Sequence, residues 1–350
     1  MRRHAPWMAL VVVACRADVP PEEPAAAAAR EVTVAESWVS VADTMWDLDT
    51  PALWARGDSG LVLVTGKGSH DIRVFDVRTG EARAPIGGRG EALGQFNRPN
   101  AVLVSGDLAF VIERDNHRVQ ILKLPAGTPL GSFGEGDLQL PYGGVIAGIL
   151  PELTFYITDD YEAPLDSTAD LSRRLHRFRV RFDAGGIATV EDHAALGQRA
   201  GPAALRVVET IGRDPEGGLL YVADESQKSY LVFDSTGSYT GRTLAEGLIR
   251  GDPEGMALVE CRDRTGYWIA TDQQPTVSWF RVFRRDNLEY LGSFRGERTT
   301  NTDGVSFAAG PVPGFPAGVF LTVHDDQAVS AFDWARVAEA LGIGCPLDPR

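Results

Sequence analysis

The segment LLYVADESQKSYLVFDSTG, Leu219–Gly237, decides the fold. It opens on a short apolar run rich in β-branched and aromatic residues, passes through the polar tetrad Glu225-Ser226-Gln227-Lys228, and enters a second run of the same kind before Ser-Thr-Gly. Runs of this length bounded by turn residues read as two adjacent antiparallel strands.

The pair recurs along the chain. Its first run appears as LVLVTG at Leu61, LAFVIE at Leu108, TFYITD at Thr154, LLYVAD at Leu219, GYWIAT at Gly266 and GVFLTV at Gly318, about 45 to 65 residues apart. Each is followed by a second run: DIRVFDV, HRVQILKL, LHRFRVRFD, SYLVFDSTG, WFRVFRRD and AVSAFDW. A four-stranded unit repeated six times at this period predicts an all-β chain, a six-bladed β-propeller with four-stranded antiparallel blades. A β-sandwich would not keep such a repeat in phase. Only DWARVAEALG, Asp333–Gly342, reads as helix, and EVTVAESWVSV, Glu31–Val41, is expected to close the ring by pairing with the last blade.

The 350 residues carry a formal charge of −14, which disfavours nucleic acid or an anionic lipid surface as partner and suits bound cations. At the N-terminus two arginines precede a short apolar run ending Val12-Val13-Ala14-Cys15. Residues 1–15 resemble a bacterial lipoprotein signal with its lipid-accepting cysteine. Residues 16–30, rich in Pro, Ala and Glu, read as a tether, and 31–345 as the propeller. The expectation is an exported monomer, secreted or lipid-anchored in the cell envelope, touching the membrane only through that anchor. Cys261 and Cys345 then remain, free to pair in an oxidising compartment or to stay reduced. Neither has the neighbours of a zinc site.

Propeller chemistry sits where loops meet the central channel. The ends of the recurring first runs give Lys67, Glu113-Arg114, Asp159-Asp160, Asp224-Glu225, Asp272-Gln273 and Asp325-Asp326, which should gather on one face. Converging acids are costly unless a cation compensates them. The tetrapeptide Asp-Pro-Glu-Gly occurs twice, at 214–217 and 252–255. The first copy lies where a hairpin must turn. The second lies one strand earlier in its repeat, so the counterpart of Glu254 is Glu209, not Glu216.

The order VVET, LLYVADE, GDPEGMALVE, GYWIATDQQ, NTDGVSF and FDWARVAEALG resembles the β-propeller phytases, with looser matches at DTPALW, VTGKGSHDIRVFD, RPNAV, IERDNHRVQI and PYGG. That resemblance implies a 3-phytase-like phosphomonoesterase. It would use several calcium ions and a calcium-held water to release phosphate from myo-inositol hexakisphosphate or a similar phosphorylated small molecule. It implies calcium ligands at Glu209, Glu225, Asp252, Glu254 and Gln273, joined by Tyr142, Asp49 and Asp303. Lys67 and Arg114 would grip phosphate, with Glu209 and Glu254 central to catalysis. Hard cations prefer such oxygen ligands.

Each residue has a plainer reading: Asp252, Glu254 and Asp303 as turn residues, Glu225 as a solvated strand end, Lys67 and Arg114 as surface cations. His70, His117, His176 and His193 show no pairing that would make a site. The chain also departs from the family. Asp49-Thr50 stands where paired aspartates are expected, Asn301 replaces an acid, Thr210 replaces glycine, and the acidic loop shrinks to HDDQAVS. These changes imply fewer stabilising calcium sites. The stretch GQFNRPNAVLV with AFVIERDNHRVQIL is also similar to a non-catalytic NHL-type binding propeller, and a calcium-dependent lactonase on a six-bladed propeller could use the same carboxylates.

Overall fold

A computed structural model describes residues 30–164 and 168–347. The expected signal sequence lies outside the described residues, as does the tether up to residue 29. Six sheets are arranged in chain order as blades. Blade I comprises Leu48–Arg56, Ser59–Gly66, Asp71–Asp76 and Ile86–Gly87. Blade II comprises Pro99–Ser105, Leu108–Glu113, Arg118–Lys123 and Thr128–Phe133. Blade III comprises Pro141–Ile149, Glu152–Asp159, Leu175–Phe182 and Ala188–Ala195. Blade IV comprises Ile211–Asp214, Leu219–Asp224, Ser229–Asp234 and Tyr239–Leu244. Blade V comprises Met256–Glu260, Gly266–Gln274, Val277–Arg284 and Tyr290–Arg295. Blade VI comprises Val305–Ala308, Val319–His324 and Ala328–Asp333. First strands of successive blades touch in cyclic order, and that of blade VI meets that of blade I, closing the ring.

The apolar runs that announce the repeat are the second strands of the blades, not the innermost ones. Their near-continuous hydrophobicity has a packing cause. Strand alternation sends Leu220, Val222, Leu231 and Phe233 into the core shared with blade III, and Tyr221, Ala223, Tyr230 and Val232 into the core shared with blade V. Both faces of a blade are therefore buried, and strict polar alternation is lost.

Closure differs in part from the expectation. Trp38–Val39 does complete blade VI, pairing antiparallel with Ala331 and Ser330. Arg30–Thr33, however, adds a parallel fifth strand to blade V, Arg30 opposite Gly292. Glu36 anchors the crossing between them, since its carboxylate accepts from the Arg298 and Thr299 amides at 3.0 and 2.8 Å and from the Thr299 hydroxyl at 2.7 Å. The helix Trp334–Leu341 covers blade V beyond the last strand, burying Trp334, Val337 and Leu341 against Val259 and Phe294. A disulfide joins Cys261, in the first hairpin of blade V, to Cys345 after the helix, closing a loop of 84 residues.

Candidate metal centre

Strand register identifies equivalent positions in all six blades. Pro51, Val102, Gly144, Ile211, Met256 and Val305 pair opposite Val64, Val111, Ile157, Val222, Ala270 and Thr322, matching places in the second strands. Two residues before each stands one member of a ring at the channel mouth: Asp49, Asn100, Tyr142, Glu209, Glu254 and Asp303. Three ring members are followed by glycine, and for a steric reason. A Cβ at Gly143 would lie 2.2 Å from the Glu209 carbonyl oxygen, one at Gly255 2.7 Å from the Val305 amide, and one at Gly304 2.5 Å from the Asp49 carbonyl oxygen. Neighbouring blades thus approach closely where their acids enter. Hydroxyls fix two of the carbonyls from the preceding blade, Thr65 bonding that of Asn100 at 2.9 Å and Thr158 that of Glu209 at 2.6 Å.

The dipeptides ending the second strands divide into two roles that the sequence pooled. The first residue is structural. Asp159 accepts from the Gln139 and Leu140 amides at 2.8 and 2.7 Å, Asp224 from the Arg206 amide at 2.9 Å, and Asp272 from the Arg250 and Gly251 amides at 2.9 and 2.8 Å. Glu113 receives the Asn97 amide at 3.2 Å and Arg118 Nε at 2.7 Å, and in blade VI His324 Nδ1 receives the Thr300 amide at 3.3 Å. These groups tie down the loop that delivers each innermost strand. The second residue borders the mouth: Lys67, Arg114, Asp160, Glu225 and Gln273; in blade VI the register makes the pair His324-Asp325 and not Asp325-Asp326, and Asp326 is the acid that acts on Asp303 and Lys67.

Ring and rim meet at Glu209, Glu225 and Glu254, each with a carboxylate oxygen within 4.8 Å of the others. Burial raises the Glu209 pKa to about 8, and the charges of Glu225, Asp49 and Asp303 add to the rise against a hydrogen bond with Glu254. Burial also raises Glu225 to about 7, helped by Asp252 and Asp160. Glu254, the most buried of the three, is pushed well above the usual range by burial and then by Glu209 and Asp303. Three carboxyls that resist ionisation together are what a cation would relieve.

The adjoining arc of the ring, blades VI and I, is organised around Lys67. Its Nζ lies 2.8 Å from Asp303, 3.3 Å from Asp49 and 3.7 Å from Asp47, with the side chain 8% exposed. Burial disfavours the ammonium, but these carboxylates outweigh it and raise its pKa. Asp49 is pushed up to about 6, chiefly by burial, although Lys67 opposes the rise. Asp303 also receives Gln273 Nε2 at 2.6 Å. Asp326, raised to about 7 by burial and then by Asp303, accepts from Asn301 at 3.1 Å.

The remaining expected residues lie around this core. Asp252 stands at the rim, paired with Lys228, and its backbone exchanges two 3.0 Å hydrogen bonds with Gln273. Tyr142 belongs to the ring, and burial followed by Asp49 and Glu209 keeps its phenol protonated far above neutrality. Arg114 remains at the rim, 3.2 Å from Asp115. Lys67, expected to grip phosphate, is engaged instead by three carboxylates.

Two features escaped the sequence. Asn100 is fully buried and neither polar atom of its side-chain amide has a partner; its ring position follows only from register. His176 and His193, read as unpaired, do meet: Nδ1 of His176 lies 2.9 Å from Nε2 of His193, whose Nδ1 is 3.2 Å from Asp137. His176 Nε2 is 3.4 Å from Asp159. Their contact is diagonal across two strands whose register shifts between Arg179 and Val180, so spacing alone could not reveal it.

The donor set fits a hard cation. It consists of carboxylate oxygens, with no histidine or cysteine, supplemented in the ring by an unpartnered amide and a phenol. No protein-family model matches the chain, and no curated protein matches it. Among solved structures, a calcium-binding protein, regucalcin, from Agrobacterium tumefaciens strain C58 is similar with a TM-score of 0.53 and 12% identity, covering 92% of this chain and 97% of that one. At this identity the likeness establishes the fold alone. The phytase resemblance of the motifs finds no support among family models or curated proteins.

Proposed function

We propose that this protein is a calcium-dependent hydrolase of a carbonyl ester of low charge, of the lactone class. The observation that carries the reading is the convergence of Glu209, Glu225 and Glu254. These three would hold the ion, and a calcium ion there would supply Lewis-acid polarisation of the substrate oxygen and acidify water. That the similar solved structure is of a calcium-binding protein supports the choice of metal.

The chain's own groups suit the substrate class. The protonated Tyr142 phenol offers a hydrogen-bond donor at the ring, and the Asn100 amide offers two N–H donors and a carbonyl acceptor without a competing partner. The surrounding acids, Asp49, Asp160, Asp252, Asp303, Asp325 and Asp326, repel a polyanion. Lys67, Lys228 and Arg174 pair with Asp303, Asp252 and Asp160 but are outnumbered by the acids.

One observation favours a second reading, phosphomonoester hydrolysis. Arg114 hydrogen-bonds through its amide to the Arg98 carbonyl at 3.0 Å, and Arg89 and Arg98 both depress the pKa of nearby His70 after burial does. Arginines at blades I and II could meet a phosphate facing the carboxylates of blades IV and V. Purified protein assayed with a γ- or δ-lactone, a p-nitrophenyl ester and inositol hexakisphosphate, each with calcium and with chelator, separates the two. Calcium-dependent lactone opening supports the first reading. Phosphate release alone replaces it with the second, and no turnover of any substrate refutes both.

A further inference from the structure

The carboxylates of the channel mouth form two groups on adjoining arcs of the ring. Glu209, Glu225 and Glu254 come from blades IV and V. Asp47 and Asp49 at the entry to blade I, with Asp303 from blade VI, surround the ammonium of Lys67 at 3.7, 3.3 and 2.8 Å. We propose that Lys67 is a built-in counter-cation: its ammonium occupies a second cation seat of the ring, so that the native protein takes one metal ion, at the three glutamates, and removing the lysine charge opens a second divalent-cation site.

Several observations converge on this assignment. The lysine is fixed at both ends, its amide bonded to the Asp47 carbonyl at 2.8 Å and its Nζ to Asp303. It is therefore not a rim side chain that swings out to substrate. A buried ammonium persists only where opposite charge surrounds it, and three carboxylates against one ammonium leave that seat net negative. Next in the ring to Asp49 stands Asn100, fully buried, with neither its Oδ1 nor its Nδ2 partnered. Asp49 Oδ2 also lacks a hydrogen-bond donor, although Lys67 Nζ lies within ion-pair distance of it. Asp47, Asp49 and Asp303 supply hard oxygen donors of the kind that calcium takes once the ammonium is gone. Asp303 adjoins both seats, because it receives Lys67 while its charge acts on Glu209 and Glu254.

The inference rests on the metal reading of the three glutamates, and its test keeps the two apart. Calcium stoichiometry is measured by native mass spectrometry and equilibrium dialysis on chelator-stripped wild type, Lys67→Ser and Lys67→Arg, with thermal melting of each with and without calcium. Expected are one ion in wild type, one in Lys67→Arg and two in Lys67→Ser, which melts below wild type in chelator and regains the loss in calcium. Two or more ions in wild type overturn the proposal whatever the variants do. So does a folded Lys67→Ser that binds no more ions than wild type while wild type binds one. If wild type binds none and Lys67→Ser binds one, the lysine seat stands and the glutamate site falls. No binding by any of the three overturns both.

Discussion

Glu209 and Glu254 enter the channel mouth from adjacent blades at the same register position, each with a carboxylate oxygen within 4.8 Å of the other. Such a contact requires a shared proton or a cation. A pH dependence follows, with its sign. Glu209 and Glu225 hold their protons to about pH 8 and 7 in the folded, metal-free chain, whereas an unfolded glutamate titrates near about 4.3. Between those limits the folded state binds more protons than the unfolded state, so its stability falls as pH rises. Chelator-treated protein should melt higher at pH 5.5 than at pH 8, and calcium should raise the melting temperature more at pH 8. Equal calcium shifts at both pH values would contradict this.

Replacing Glu254 by Gln keeps the shape of the buried side chain and removes its charge. Calcium affinity and any calcium-dependent turnover should fall by at least about 100-fold, the upper range for losing an outer-shell partner of a metal ligand. Melting in chelator should not drop, because a poorly ionised buried acid has been replaced by a neutral group. Undiminished calcium binding would remove Glu254 from the site.

The far face of the propeller supplies a contrasting pair. Asp214 receives Arg285 Nε at 3.0 Å and its Nη2 at 2.5 Å, both side chains being under a tenth exposed. Arg285→Ala leaves a buried carboxylate unpaired and should cost roughly 3–5 kcal/mol. Calcium affinity should be unchanged, as denaturant melts and a calcium titration of the same variant would reveal.

The Cys261–Cys345 disulfide closes the chain around blade V and the helix. Cys261→Ser with Cys345→Ser should lower stability by about 2–4 kcal/mol without altering calcium stoichiometry. A melting temperature insensitive both to reductant and to this double substitution would show that the bridge contributes nothing.

Asp214 and Asp252 show how far the sequence could be read. Both begin the tetrapeptide Asp-Pro-Glu-Gly, and position within the repeat separates them: Asp214 ends an innermost strand at a hairpin, whereas Asp252 precedes one at the mouth. The fold was legible because every blade buries both faces and so repeats its apolar runs. Glu209, Glu225 and Glu254 were legible as acids in phase with that repeat. Asn100 was not, since an asparagine after proline carries no charge signal and its role depends on register. Nor was the engagement of Lys67 by Asp303, 236 residues away in the chain, because closure of the ring creates that contact. The separate role of Asp159, Asp224 and Asp272 was hidden too: adjacent acids look alike until strand alternation turns one inward to the backbone and the other to the channel.

The most direct measurement is an anomalous difference map from a crystal grown with calcium and with a lanthanide in its place. A peak about 2.3–2.6 Å from carboxylate oxygens of Glu209, Glu225 and Glu254 is the expected result. A clean map at those residues, in crystals that diffract well and contain the ion at saturating concentration, would contradict the assignment of this channel mouth as a metal centre.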